Sequence, residues 1–200
     1  KEMKPQLLEV YNSPEKIPYI SYRGGKAYNF WQDEKNIKGL WRMTSLDSYA
    51  SENTKWETIL DFDALSKSEG KNWVYKGADC LAPDYSRCIL SLSDGGKDAV
   101  VRREFDIASK SFVEGGFVLP ESKGGTAWID ENTMLVGVDF GEGTMTDSGY
   151  PMVAKLWTRG TELSEARELM RGEQADVGVF SGTFENADGD DEILVVRATT

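Results

Sequence analysis

The sequence contains two pairs of carboxylates that could in principle hydrolyse a glycosidic bond. Asp61 lies two residues before Asp63, and Glu131 lies eight residues before Asp139. A glycosidase places two carboxyl groups about 5 to 10 Å apart across a pocket, so either pair would have to converge in the fold. For Asp61 and Asp63 we favour the simpler interpretation, in which both are solvated on the same side of a strand end.

Serine-peptidase chemistry needs a base and an exposed nucleophile that these 200 residues do not supply. The sequence contains no histidine, which normally takes the proton of the nucleophile in a catalytic triad. It contains no Gly-x-Ser-x-Gly motif either, because Ser148 lacks the glycine two positions before it. We therefore predict that the chain has no catalytic residue and no cofactor of its own.

Two glycine-containing loops have compositions that occur at ligand sites. Residues 186–192 (Asn-Ala-Asp-Gly-Asp-Asp-Glu) are similar to a calcium loop, but the sixth position is not glycine and Arg197 replaces the glutamate of the twelfth. Residues 141–143 (Gly-Glu-Gly) lack the third glycine and the strand-to-helix context of a phosphate-binding loop. We predict a polar hairpin turn and a loop tip, and no metal site.

The two cysteines leave two alternatives open. Cys80 and Cys88 flank residues 81–87, which have the composition of a hairpin connection. If the flanking strands pair, the cysteines face each other, and a disulfide forms only where their Cα atoms come within about 7 Å. The alternative is a pair of free, partly buried thiols.

The charge balance argues against two classes of partner. The 34 acidic and 23 basic residues give a net charge of −11, whereas nucleic acids and anionic membrane surfaces attract Lys- and Arg-rich proteins. A hydrophobic fraction of 40% with 11% aromatic residues is typical of a folded domain. No apolar run approaches the ~18 residues of a membrane span. We expect a soluble protein of the cytoplasm or the periplasm, without choosing between these compartments.

Strands dominate the elements that must position these residues. Residues 6–11 favour a short helix, which Asn12-Ser13-Pro14 ends because proline cannot continue it. From residue 17 onward, aromatic and β-branched runs alternate with turns such as Gly24-Gly25, a strong hairpin signal. The predicted strands are 19–23, 26–31, 37–43 and 56–60; 73–80, 88–92, 99–106 and 117–119; 126–129, 134–139, 152–158 and 168–170; and 177–184 with 192–197.

These strands form a repeat. The first strand of each group recurs near Tyr19, Val74, Ala127 and Val179, about 50 to 55 residues apart, slightly above the usual period of propeller repeats. Regular groups of four favour an all-β partial β-propeller of four-stranded antiparallel blades over a β-sandwich. We predict an N-terminal extension at 1–14 and a partial propeller at 15–200, with blades near 17–61, 73–119, 125–171 and, incomplete, 177–200. Three and a half blades do not close a ring, so we expect a fragment of a longer protein.

Five tryptophans lie within or beside the predicted strands: Trp31, Trp41, Trp73, Trp128 and Trp157. Exposed aromatic rings of this kind serve in some proteins as a stacking platform for sugars or bases. Packing between neighbouring blades is the simpler use of large aromatic side chains, and we predict it here.

Four short segments, spread over nearly the whole chain, resemble the motifs of one enzyme family. Residues 60–65 (Leu-Asp-Phe-Asp-Ala-Leu) resemble Leu-Asp-x-Asn-x-Leu, and residues 91–98 (Ser-Leu-Ser-Asp-Gly-Gly-Lys-Asp) resemble Ser-x-Ser-x-x-Gly-Ser-Asp. Residues 127–130 (Ala-Trp-Ile-Asp) resemble Ala-Trp-x-x-Asp, and residues 159–166 (Arg-Gly-Thr-Glu-Leu-Ser-Glu-Ala) resemble Leu-Gly-Thr-x-x-Ser-Glu-Asp. In this order they are similar to the N-terminal propeller of the prolyl oligopeptidase family of serine peptidases. The match departs at Asp63 and Ala99, where the family usually has Asn and Trp.

The resemblance implies a division of labour. Members of this family join an α/β-hydrolase domain, which holds the Ser, Asp and His of the triad, to a seven-bladed propeller that caps the active site. They cleave short peptides, typically after proline. This chain would supply gating and selection of substrate size, and its partner would be the missing hydrolase domain of the same parent protein.

Two other expectations accompany this interpretation. The alternatives from other functional classes are a free-standing propeller that acts as a binding module and a truncated propeller glycosidase. A half-ring also exposes sheet faces that normally meet neighbouring blades, and exposed apolar surface of this kind promotes association. We therefore expect the fragment to self-associate.

Overall fold

The fold consists of antiparallel sheets that follow one another along the chain. It is taken from a computed structural model that describes residues 3–13, 15–189 and 191–200. Helix α1 (Met3–Asn12) precedes the first sheet. That sheet, blade 1, contains β1 (Ser21–Arg23), β2 (Lys26–Trp31), β3 (Leu40–Ser45) and β4 (Glu57–Asp61), each paired with the next. Two short helices, α2 (Leu46–Tyr49) and α3 (Phe62–Glu69), follow β3 and β4.

The later sheets repeat this pattern. Blade 2 contains β5 (Trp73–Cys80), β6 (Arg87–Asp94), β7 (Val100–Asp106), β8 (Ser111–Phe112) and β9 (Val118–Ser122). Blade 3 contains β10 (Gly125–Asp130), β11 (Thr133–Gly137), β12 (Val153–Thr158) and β13 (Arg167–Arg171), with a 3-10 helix (Leu163–Glu165) before β13. The half-blade 4 is the hairpin of β14 (Gly178–Glu185) and β15 (Asp191–Ala198). The prediction of an all-β partial propeller is confirmed.

Successive side chains of a strand point to opposite faces of the sheet, and this alternation decides which side chains meet the next blade. In β2, Tyr28 and Phe30 point to one face of the sheet, and Asn29 and Trp31 point to the other. Tyr28 belongs to the buried cluster between blades 1 and 2, and Phe30 packs against that cluster. The face that carries Asn29 and Trp31 therefore looks away from blade 2.

Two apolar clusters join the first three blades. The cluster between blades 1 and 2 contains Tyr28, Trp41, Met43, Ile59, Phe62, Trp73, Cys88, Leu90, Leu92, Phe105 and Ile107. The cluster between blades 2 and 3 contains Ile89, Phe117, Leu119, Trp128, Met134, Val136, Val138, Trp157 and Ala166. The prediction that the tryptophans pack between neighbouring blades is thus confirmed for Trp41, Trp73, Trp128 and Trp157. Trp31, which is only partly buried, lies outside both clusters.

Helices α2 and α3 lie in connections for which the sequence patterns predict no helix. The connection between the predicted strands 37–43 and 56–60 contains α2, which is capped by the Ser45 side chain. Helix α3 begins directly after β4 because the Asp61 carboxylate accepts hydrogen bonds from the backbone N–H groups of Asp63 and Ala64. It ends at Gly70, whose φ of 63° suits the left-handed position after a helix.

Blade 2 has one strand more than predicted. The short β8 and the longer β9 both pair with β7, at different ends of it. A strand pair of only two residues gives no periodicity in sequence, so only β9 was predicted, at 117–119.

The N-terminal helix is longer than predicted. It starts at Met3 instead of residue 6, and Pro14, which was expected to end it, lies outside the described residues. The prediction of a domain boundary at 14/15 therefore stays a prediction. No helix within the described ranges has the length and apolarity needed to cross a membrane.

Candidate functional site

The first strands of blades 2, 3 and 4 converge on a cleft of about 400 Å³. Its walls come from the end of β5, from β10 and from β14, together with Asp191 at the start of β15. Strand β10 contacts β14, and Trp128 of β10 reaches the backbone of β5, so this cleft lies where the first strands of neighbouring blades meet.

The lining of this cleft is polar and contains no histidine. It presents the carboxylates of Asp79 and Asp191 together with hydroxyls such as Thr126, Ser181 and Thr183. Such groups form hydrogen bonds to a peptide, but activation of a nucleophile needs a base within hydrogen-bond reach of it. The 200 residues contain no histidine to serve as that base, and the cleft supplies the hydrogen-bonding groups named above.

Side chains that cross between blades hold the first strands in place. Arg23, at the end of β1, donates a hydrogen bond from Nη2 to the Ala78 carbonyl of β5 at 3.2 Å. Trp128 of β10 donates from Nε1 to the Asp79 carbonyl at 3.0 Å. Both links end on the backbone of β5, so this strand is held from both neighbouring blades. Sequence reasoning missed these residues, because nothing local marks an Arg or a Trp whose partner lies about 50 residues away.

The carboxylates that suggested glycosidase chemistry have structural roles. Asp61 caps α3, and Asp63 accepts a hydrogen bond from the backbone N–H of Lys38 at 2.9 Å. Both side chains are partly exposed, as expected, and both also accept hydrogen bonds from backbone N–H groups, which the sequence did not predict. An Asn at position 63, as the family usually has, would accept the same bond through its amide oxygen.

The second carboxylate pair does not converge. Glu131 lies in the turn before β11, and Asp139 lies beyond the other end of that strand. Asp139 accepts a hydrogen bond from the Gly141 backbone N–H at 2.8 Å, which orders the predicted loop tip at 141–143. Neither pair provides two carboxylates across one pocket, which the glycosidase alternative requires.

The calcium-like segment forms the turn between β14 and β15. Asn186 accepts a hydrogen bond from the Asp188 backbone N–H at 2.9 Å, as in a polar turn, whereas Asp190 lies outside the described residues. Across the ranges that the structure covers, no three His, Cys, Asp or Glu side chains are grouped so that they could hold a metal ion.

Cys80 and Cys88 are joined by a disulfide in this structure, and their Cα atoms lie 3.9 Å apart. They are directly opposite each other in the pairing of β5 with β6. The hairpin thus brings the two cysteines within the distance that a disulfide requires. Whether the bond forms in the cell depends on the redox state of the compartment, which makes the bond a prediction for experiment.

Comparisons with known proteins place the chain in a family. A family model described as "Prolyl oligopeptidase, N-terminal beta-propeller domain" matches residues 1–200. The chain is 48% identical over 189 residues to the uncharacterized peptidase y4nA of Sinorhizobium fredii, covering 94% of this chain and 26% of that protein. It is 34% identical over 177 residues to the uncharacterized peptidase RP174 of Rickettsia prowazekii, covering 84% of this chain and 24% of that protein.

A solved structure supports the same assignment. The post-proline cleaving enzyme from Rickettsia typhi superposes with a TM-score of 0.91 at 32% sequence identity, covering 98% of this chain and 30% of that one. The chain thus spans about a quarter of the length of the curated peptidases that it matches. The match over all 200 residues and the shared fold show that this chain belongs to the prolyl oligopeptidase family, of which it represents part of the N-terminal β-propeller domain.

Proposed function

We propose that this chain is the substrate-selecting part of a serine peptidase that hydrolyses short peptides after proline. The observation that carries the proposal is the similarity to the Rickettsia typhi enzyme, whose name describes post-proline cleavage, over 98% of the chain. The full-length protein would be about as long as its relatives. Its catalytic Ser, Asp and His would belong to an α/β-hydrolase domain outside these 200 residues. The polar cleft between the first strands, which contains no histidine, is consistent with that arrangement.

The chain's own contribution would be exclusion of large substrates. Rigid joints between blades keep the first strands close together around the axis, so a folded protein cannot enter while a short peptide can. This role predicts that a weakened joint relaxes the selection of substrate size without changing the chemistry.

The activity is tested with the full-length protein on two series of peptides. One series contains short peptides with proline, or alanine in its place, before the scissile bond, and the other contains proline peptides of increasing length. We expect cleavage after proline and a steep fall of kcat/KM with length. Equal cleavage after alanine, or no cleavage of any peptide, would contradict the proposal.

The gating role is tested by loosening one joint. Glu104→Gln, which weakens the link between blades 2 and 3, is expected to raise the hydrolysis of long peptides relative to short ones. The matched control is Glu168→Gln, which removes an exposed ion pair with Arg171 inside blade 3. An unchanged ratio of long to short substrates in a folded Glu104→Gln protein would remove support for gating.

We also propose that the 200-residue chain by itself self-associates. Half-blade 4 leaves large apolar side chains at its surface, with Phe184, Ile193 and Leu194 at least half exposed. Light scattering over a hundredfold range of concentration should show dimers or larger species. A monomer throughout that range would contradict this proposal and would leave the proposed peptidase function untouched.

A further inference from the structure

Each blade turns one sheet face toward the blade before it and the other toward the blade after it. Blade 2 presents Leu90 and Phe105 to blade 1, and blade 3 presents Val136 and Trp157 to blade 2. By the same repeat, the face of blade 1 that carries Asn29 is the one that would meet a preceding blade. No such blade is present among the described residues.

This face of blade 1 carries a charged side chain between aromatic rings. We call it the Arg42 face, and define it by Asn29, Trp31, Arg42 and Trp56. The guanidinium carbon of Arg42 lies 4.3 Å from the centroid of the Trp31 ring and 4.4 Å from that of Trp56, so the cation is held between two indoles.

The arginine is oriented but incompletely bonded. Nε of Arg42 donates to Oδ1 of Asn29 at 2.8 Å, and Asn29 is in turn fixed by its bond to the Tyr19 carbonyl at 2.7 Å. Within residues 3–13, 15–189 and 191–200, neither terminal nitrogen of Arg42 has a hydrogen-bond partner or a carboxylate at ion-pair distance. Burial lowers the pKa of Arg42 to about 10, so the side chain remains charged at neutral pH.

The joint between blades 2 and 3 shows how such an arginine is used in this fold. Arg159 lies 4.5 Å over the Phe117 ring, and its two terminal nitrogens bind the Glu104 carboxylate of the neighbouring blade at 2.8 and 3.0 Å. Arg42 has the aromatic support, and among the described residues it has no carboxylate within ion-pair distance, although the charge of Asp33 is near enough to raise its pKa. Because a guanidinium fork matches a carboxylate in shape and charge, an acidic side chain is the partner that would complete it.

We propose that the Arg42 face receives the last blade of the propeller, from a part of the protein outside these 200 residues, and that a carboxylate of that blade binds the terminal nitrogens of Arg42. This inference rests on the proposed function, since it requires the longer protein; the curated relatives are about four times as long as the matched segment. A neighbouring hollow of about 620 Å³ is bordered by Ile17 and Tyr19, which are 69% and 83% exposed and offer apolar surface to the same blade.

The test converts Arg42 into a chemical probe in the full-length protein. Arg42→Lys places an amine between the two indoles, and a carbodiimide then joins this amine to a carboxylate that contacts it. Mass spectrometry of the digested product identifies the carboxylate. Arg103→Lys is the matched control, because Arg103 lies 3.5 Å over the Phe112 ring and already binds Glu69 at 2.7 Å. That control should give a link to Glu69.

We expect a link from Lys at position 42 of the variant to an acidic residue in the last blade. Its amount should be at least tenfold above the background signal that the natural protein, with Arg42, gives after the same treatment. A link only to Asp33, a link to the hydrolase domain, or no link while the control succeeds would overturn the inference. A link between isotopically heavy and light copies in a mixed sample would show that a second copy occupies the face, and would also overturn it.

A second measurement covers the case in which Arg42→Lys does not fold. Lys16 Nζ lies 5.4 Å from the centroid of the Trp31 ring, so the unmodified protein already has an amine on this face. Links from Lys16 to the last blade support the inference, and links only to other parts of the protein overturn it. Hydrolysis of proline peptides is measured on the same samples. Cleavage without the link refutes this inference alone, whereas the link without cleavage refutes the proposed function alone.

Discussion

Arg159 of blade 3 binds Glu104 of blade 2 through both terminal nitrogens, at 2.8 and 3.0 Å, although the two residues are 55 positions apart in the chain. The Glu104 side chain is completely buried, and its Oε2 also accepts a hydrogen bond from the Phe117 backbone N–H at 2.9 Å. A buried carboxylate needs this degree of compensation, because its removal from water costs several kcal/mol. The two blades are therefore held by a specific polar joint inside their apolar contact.

Removal of one partner of this joint should destabilise the protein strongly. Glu104→Ala leaves the Phe117 N–H without its acceptor and removes the carboxylate partner of Arg159, which keeps its bonds to the Glu131 carbonyl. We expect a loss of about 3 kcal/mol in the free energy of unfolding. Urea unfolding followed by circular dichroism measures it. Glu168→Ala, which removes an exposed partner of Arg171, should cost less than about 1 kcal/mol. Equal losses in the two variants would mean that the buried joint contributes no more to the free energy of unfolding than an exposed ion pair does.

Acid should weaken blade 1 through Asp33. Hydrogen bonds from the Trp31 indole N–H, and then from the backbone of Asn36 and Lys35, lower the pKa of Asp33 to about 2. The unfolded chain binds the proton more tightly, with a pKa of about 3.9 for an ordinary Asp. The contribution of Asp33 to stability is thus complete above pH 4 and is lost as the pH falls toward 2.

Asp33→Asn removes this dependence. The free energy of unfolding of the variant should fall less between pH 4 and pH 2 than that of the natural protein, measured by urea titration at each pH. Glu34→Gln, a change at the exposed neighbouring residue, should leave the natural pH dependence intact. An identical fall in the Asp33→Asn protein would contradict the expected linkage.

Gly124 should tolerate no side chain. Its φ is 115°, and a Cβ atom there would lie 2.0 Å from the carbonyl oxygen of Gly137, which belongs to the backbone of β11 and cannot rotate away. Gly160 also has a positive φ, 79°, but a Cβ there would meet open space. Gly160→Ala isolates the backbone strain, about 1–2 kcal/mol. Gly124→Ala should cost clearly more, or prevent folding, and equal thermal stability of the two variants would contradict the expected clash.

The Cys80–Cys88 bond should contribute measurably in the oxidised protein. Closing so short a loop restricts the unfolded chain by about 2–3 kcal/mol in the chain-entropy treatment. The double change Cys80→Ser with Cys88→Ser should therefore lower the free energy of unfolding by up to that amount. A thiol reagent in denaturant tests the bond directly. Two reactive thiols in protein prepared without reductant would show that the cysteines are free, as expected in a reducing cytoplasm.

Local patterns in the sequence were sufficient for most strands. Strand β5 has the predicted limits 73–80 and strand β2 the predicted limits 26–31, because alternating aromatic and β-branched residues bounded by glycine turns leave few other conformations. The same patterns led to the partial propeller, and four short motifs led to the family. They did not predict α3, because Asp61 ends a strand and caps a helix at the same time.

The sequence by itself determined where the chain extends and turns, which faces of the strands are apolar, and that no histidine is available for a triad. Only the tertiary structure decided which distant residues meet: Arg159 with Glu104, Arg23 with the backbone of β5, and Arg42 with two indoles. The physical reason is that local conformation follows from neighbours in the chain, whereas the partner of a charge depends on how whole blades pack. In a repeat of about 50 residues, that packing brings together side chains that no local pattern connects.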